Sequence, residues 1–380
     1  MKVLFLSQGR KTAEHPGWEY SLEKLQKEGF IEAFLNLPWV GYGENLGFDA
    51  LYRHVIELVK AEHFDVVYFH YFHNGGRPSP ELCIRELKTL NPAPVVLSSC
   101  GDPFNNDWRP PYFPIEFQGA SRMADITFAT QMGQGARIML RWGARRVILS
   151  PNSLCPVRFK AHVVDPKTHK FDFDVVMVGS CNGGGLNPFN AFFWRARERT
   201  RLVHALSEHF GNRFGIFGRG WGNLVGAQGP CAFDAQQQMM QRGRVVVGGN
   251  PYTDSDYYSS NRLFFEVASG IPTVELRVNR LDKIVRDGDQ VYFADGIDGV
   301  IANVERLLKE DPIALYNKSA AAAKEMMERH TQYHRMKFKL ACALEYMRHG
   351  QSFSPPFDFF LPEVDTASES KFSDTKGWLQ

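Results

Sequence analysis

The chain reads as an α/β protein of two Rossmann-like units, each a parallel sheet covered by helices, with a cleft between them. Three observations predict this. Short apolar runs of strand length alternate with longer amphipathic stretches, the pattern of strands joined by covering helices. The alternation stops at a polar, proline-bearing stretch, Pro151–Asp172, and then restarts. The length, 380 residues, exceeds one ordinary core and suits two domains of typical size.

In the first half, the expected strands are Val3–Leu6, Val66–His70, Val95–Ser98, Ile126–Ala129 and Val147–Leu149. Helical stretches such as Ala50–Glu62, Pro80–Leu90 and Gly133–Trp142 lie between them. After the linker, Asp174–Gly179 reads as a strand, Arg197–Phe210 as a helix, and Arg213–Phe217 and Arg244–Gly248 as strands. Next, Phe264, Phe265, Val267 and Ala268 supply the apolar face of a short helix that Gly270 stops. Pro272–Leu276 follows as a buried strand, and Val300–Lys309 and Ala314–Met327 as closing helices. Residues 1–155 form the first unit and 172–330 the second. Ligands in such sheets bind beyond the carboxyl ends of the strands, so chemistry is expected in those loops.

Composition excludes little. A net charge of +2 neither demands nor rules out a polyanionic partner. Six scattered cysteines without a Cys-x-x-Cys argue against zinc or a disulfide framework and suit a reducing cytoplasm. The first six residues start a strand, not a leader, and no apolar run approaches the ~18 residues that span a bilayer.

Residues 259–274 carry the densest signal. Arg262 and Glu266 lie one helical turn apart and share a face. Such a pair suits a nucleotide, the carboxylate taking the ribose hydroxyls and the guanidinium a phosphate. A solvated ion pair is the plain alternative. The run Ser260, Arg262, Phe265, Glu266, Ala268, Gly270, Pro272 resembles the signature of the spore-protein-type glycosyltransferases, a branch of the group-1 family with the two-domain GT-B fold. The resemblance is best over about 174–300. It implies a nucleoside diphosphate sugar as co-substrate, no resident cofactor and no bound metal. Glu266 matches the second of two family glutamates, the one that holds ribose. The first would fall eight positions earlier, where this chain has Tyr258. The resemblance also implies that the last helix, 331–350, crosses back to the first unit. Residues 351–380 read as a tail that wraps a surface, Phe353, Phe357, Phe359 and Phe360 favouring this for its first half, or is partly disordered.

Other candidates follow the strand ends. Gly179 and Ser180 close the first strand of the second unit, and a glycine-rich turn, 182–185, follows as a phosphate site or a simple turn. Gly218, Arg219 and Trp221 resemble the family's Gly-x-Gly-Trp. Arg219 is expected to balance the departing diphosphate and Trp221 to shape the base pocket. In the first unit, Asp102 is a candidate base for the acceptor hydroxyl, or else an Asx-turn before Pro103. His70 is a second candidate base, and His73, Gly9 and Arg10 are candidate acceptor contacts. Arg195 and Arg197 lie in an arginine- and aromatic-rich segment, 187–201, that suits nucleic acid if exposed and an ordinary amphipathic helix if not. The expected activity is sugar transfer to an acceptor hydroxyl, a hydroxymethylated base in duplex DNA being one acceptor class. The alternative is a non-catalytic nucleotide-binding or assembly protein.

Overall fold

The computed structural model describes residues 1–70, 78–101, 115–181, 191–250 and 255–354, with backbone only for 191–196. Among these residues the first half runs β1 (Lys2–Ser7), α1 (Pro16–Lys27), β2 (Ala33–Pro38), α2 (Trp39–Leu46), α3 (Phe48–Glu62), β3 (Val66–His70), α4 (Glu81–Leu87), β4 (Val95–Cys100), α5 (Ile115–Met123), β5 (Ile126–Ala129), α6 (Gln134–Arg141) and β6 (Val147–Leu149). The second half runs β7 (Phe173–Val178), α7 (Ala191–Phe210), β8 (Phe214–Phe217), α8 (Gln236–Met240), β9 (Gly243–Val247), α9 (Asn261–Ala268), β10 (Thr273–Leu276), β11 (Tyr292–Ala294), α10 (Gly296–Lys309), α11 (Pro312–Arg329) and α12 (Gln332–His349).

The strands form two separate sheets, ordered β2-β1-β3-β4-β5-β6 and β11-β10-β9-β7-β8. Every pairing within them is parallel. Parallel strands buried on both faces must be apolar throughout, which is why Val3–Leu6 and Val66–Phe69 read as continuous runs. The edge strand β2 lacks this mark, since Asn36 and Pro38 interrupt it and Leu35 is exposed. Sequence reasoning missed it for that reason, and it also missed α1, α2, α5, α8 and β11.

In each sheet the chain order reverses once, between β1 and β3 and between β7 and β9. Strand ends splay there and open a crevice. One face of the first sheet packs Phe5, Tyr68, Leu97 and Phe128 on Trp18 and Leu22 of α1 and on Met336 and Phe338 of α12. The opposite face packs on α2, α3 and α4. The second sheet has its own core, to which α9 contributes Leu263, Phe264 and Phe265.

The last helix therefore packs on the first sheet, though it follows α11 of the second unit. Thr331 and His334 cap it reciprocally. Leu154 and Thr331 form a parallel bridge, so the two passages of chain between the sheets run side by side. The buried Arg335 guanidinium clamps them, donating to the carbonyls of Pro151 at 2.9 Å and Asn152 at 3.1 Å. Phe353 packs beside α12 under the Arg146 guanidinium. Phe357, Phe359 and Phe360 lie outside the described residues.

Two helices bear on the expectations. Helix α7 begins at Ala191, not Arg197, so much of the arginine–aromatic segment forms its first turns. Helix α9 is no solvated surface helix, since Leu263 through Ala268 are all buried.

Candidate functional site

The carboxyl edges of the two sheets face one another. The Met132 amide, just beyond β5, donates to the Asp256 carbonyl at 3.1 Å. Asn152, just beyond β6, donates from Nδ2 to the Ser259 carbonyl at 2.9 Å. The loop that leads into α9 thus abuts the strand ends of the first sheet.

The crevice of the second sheet opens between Gly179, after β7, and Gly248, after β9. Gly179 is fixed from the β8 side. Its amide donates to the Phe217 carbonyl at 2.8 Å, and its carbonyl accepts from Trp221 Nε1 at 2.6 Å. A Cβ at Gly218 would collide with the Gly179 carbonyl, so close approach demands glycine there. Trp221 is buried in the core of the second unit and shapes the crevice through the Gly179 backbone. Arg219 is exposed, and its amide donates to Ser180 Oγ at 3.2 Å. Ser260 precedes the first turn of α9 as its N-cap residue.

Helix α9 aims its chemistry at this crevice. Arg262, half-buried, places Nη1 3.4 Å from where a Cβ on Gly179 would lie. One turn on, Glu266 is only 1% exposed, and neither carboxylate oxygen has a hydrogen-bond partner among the described residues. An isolated buried carboxylate is costly, so the group either holds a proton or awaits donors. Burial, then the nearby Glu275, push its pKa upward, against opposing pulls from Arg262 and Arg199.

Glu275 and Arg199 were not anticipated. Glu275, in β10, is 2% exposed and accepts through Oε1 from the amides of Leu276 at 3.0 Å and Asn250 at 3.2 Å. Its pKa is also raised by burial, those two amides opposing the shift. The available signal was a carboxylate inside a run read as a buried strand. Arg199 reaches back from α7 to the Gly249 carbonyl, with Nε at 2.9 Å. The sequence singled out Arg195 and Arg197 instead. Arg197 is exposed, and the side chain of Arg195 lies outside the described residues. Tyr258, where the first family glutamate would stand, is buried, and its carbonyl accepts from Asn250 Nδ2 at 3.2 Å.

Across the cleft, the crevice of the first sheet lies between the loop after β1 and the end of β3. Gly9 has φ 138° and accepts from the Gly41 amide. Arg10 is exposed and paired with Glu44 at 2.7 Å. His70 is 1% exposed, with Nδ1 3.1 Å from Ser99 Oγ and 3.2 Å from Tyr68 Oη. Its ring packs edge-on against Trp18. Asp102, His73 and the 182–185 turn lie outside the described residues. Among the described residues no group of three or more His, Cys, Asp or Glu is placed to hold a metal. None of their helices is long and apolar enough to cross a membrane.

Residues 197–341, most of the second unit and part of α12, match the family model described as glycosyl transferase-like. No curated protein matches the chain. Among solved structures, a glycosyltransferase from Rickettsia africae is similar over 92% of this chain and 99% of its own, at 11% identity and a TM-score of 0.58. An alpha-glucosyltransferase bound to UDP and a 13-mer DNA containing an HMU base is similar over 90% and 99%, at 11% identity and 0.58. HepE from Anabaena, bound to UDP-glucose, is similar over 90% and 99%, at 15% identity and 0.52. The fold is GT-B. In this GT-B frame the two crevices oppose each other across one cleft, with Glu266, Arg262, Glu275 and Arg199 gathered at the second.

Proposed function

We propose that the chain is a glycosyltransferase that moves a sugar from a nucleoside diphosphate sugar, UDP being the first nucleotide to try, to an acceptor hydroxyl. The observation that carries this is Glu266, a buried carboxylate with no hydrogen-bond partner among the described residues, at the crevice of the second sheet and one turn from Arg262. Ribose hydroxyls supply the donors that Glu266 lacks. Arg262, beside Gly179, takes a phosphate, and Arg219 balances charge on the departing diphosphate. Asp102, or else His70, takes the acceptor proton; Nδ1 of His70 meets Ser99 Oγ and Tyr68 Oη. Closure of the cleft excludes the water that would hydrolyse the donor. The match of 197–341 to a glycosyl transferase-like family supports the reading.

Thermal shift against a nucleotide panel tests it. UDP or UDP-glucose is expected to stabilise the protein by mass action, and Glu266→Ala to abolish the shift. An unchanged shift in a folded Glu266→Ala protein would remove the site assignment. Binding without transfer or hydrolysis of any donor would favour a non-catalytic nucleotide-binding or assembly protein.

A hydroxymethylated base in DNA is the acceptor class we favour. The fold is shared with a glucosyltransferase bound to HMU-containing DNA, and Arg197 and Arg201 are exposed near the start of α7. Such a base would have to leave the duplex stack to be reached. DNA binding that weakens with salt and falls in Arg197→Ala is expected in an electrophoretic assay, and its absence would send the search to small-molecule or protein acceptors.

A further inference from the structure

We infer that Glu266 and Glu275 act as a one-proton pair, in which Glu275 is a positioning residue that keeps Glu266 protonated until a vicinal diol docks. The inference rests on the reading that Glu266 receives ribose, and it assigns Glu275 a part that no sequence motif gives it.

The geometry is compact. A Cβ built on Gly248 would lie 3.0 Å from Glu266 Oε2 and would collide with Glu275 Oε2, so both carboxylates crowd one point. Each is almost fully buried, where two negative charges side by side are strongly disfavoured. The pair therefore carries one charge more easily than two. That charge belongs on Glu275, because Oε1 accepts two backbone N–H groups and such bonds favour the ionised form. Among the described residues, Glu266 accepts none. The other groups around α9 do not reverse this order. Arg262 from α9 and Arg199 from α7 favour ionisation of both acids. From the side of α11, His330 stacks on Phe264, the ring centroids 5.4 Å apart, and burial keeps it neutral. Gln237 of α8 is uncharged and bonds to the Phe265 carbonyl.

A diol offers two O–H donors to one side chain. The neutral carboxyl accepts well through one oxygen only, whereas the carboxylate accepts through both. Docking therefore replaces the O–H of Glu266 with two hydrogen bonds from the ligand and releases one proton to solvent. Binding tightens as pH rises, by up to about tenfold per pH unit, until Glu266 ionises in the free protein.

Two measurements test this separately from the donor site. In the first, the glutamate side-chain carboxyls are labelled with carbon-13 and titrated by NMR in the ligand-free protein, with Glu266→Gln and Glu275→Gln giving the assignments. One acid of the pair is expected to stay protonated at neutral pH, and Glu275→Gln to move Glu266 to a lower pH. The side-chain amide oxygen introduced by Glu275→Gln can still accept from the backbone amides of Asn250 and Leu276, so the variant should fold. Two acids ionised at pH 6, or a Glu266 titration unmoved by Glu275→Gln, would overturn the pair. In the second, UDP-glucose, which has no group titrating near neutrality, is bound by calorimetry in two buffers of different ionisation enthalpy. About one proton released per ligand is expected, and fewer in Glu275→Gln. Binding that Glu266→Ala weakens at least tenfold but that releases no proton would overturn the pair alone. UDP-glucose binding that Glu266→Ala leaves unchanged, or no binding by the wild type, would overturn the donor reading instead.

Discussion

Gly248 stands at the carboxyl end of β9, where two carboxylates converge on the space a side chain would fill. Gly248→Ala should therefore destabilise the protein by about 1–3 kcal/mol through overpacking, and weaken donor binding by displacing Glu266. Urea unfolding and calorimetry check the two halves. A stable variant with normal affinity would show that the crevice is looser than drawn. Glu266 and Arg262 were legible in the sequence because their spacing sits inside a recognisable run. Glu275 and Arg199 were not. One glutamate in a short apolar strand and one arginine among four carry no local mark of what they face.

The elements differ in how far their own residues define them. Helix α9 was legible as a helix, but its burial depends on the core of the second unit, into which Leu263, Phe264 and Phe265 pack. Helix α12 was legible in extent, yet its most telling side chain was not. Lys339 is fully buried among Trp18, Tyr68 and Phe128, and its ammonium donates to Tyr68 Oη at 2.7 Å. Burial lowers its pKa from 10.5 to about 7. The sign follows. Below pH 7 folded and unfolded chains both hold this proton, and the burial penalty applies in full. Between 7 and 10.5 the unfolded chain holds more of it, so stability rises with pH by up to about 1.4 kcal/mol per unit from this group. Lys339→Met should remove that contribution, so the wild type gains stability relative to the variant as pH climbs through this window. Parallel stability curves would contradict the assignment.

At the scale of the molecule, two passages of chain join the units, and Arg335 clamps both by bonding the Pro151 and Asn152 carbonyls. Asn152 also reaches Ser259 across the cleft. Asn152→Ala should leave donor affinity within about twofold, because the residues proposed to hold the donor all sit at the second sheet, yet slow transfer, because the acceptor side loses its register. A loss of donor affinity with unchanged turnover would point the other way. The sequence by itself determined the two parallel sheets, since a strand covered on both faces must be apolar along its length and announces itself locally. It also marked most strand ends as the places for chemistry. Only the tertiary structure decided that Glu266 meets Glu275 and that Arg199 reaches Gly249. Those meetings depend on the order of strands within the sheet, which distant parts of the chain settle together and no short stretch encodes.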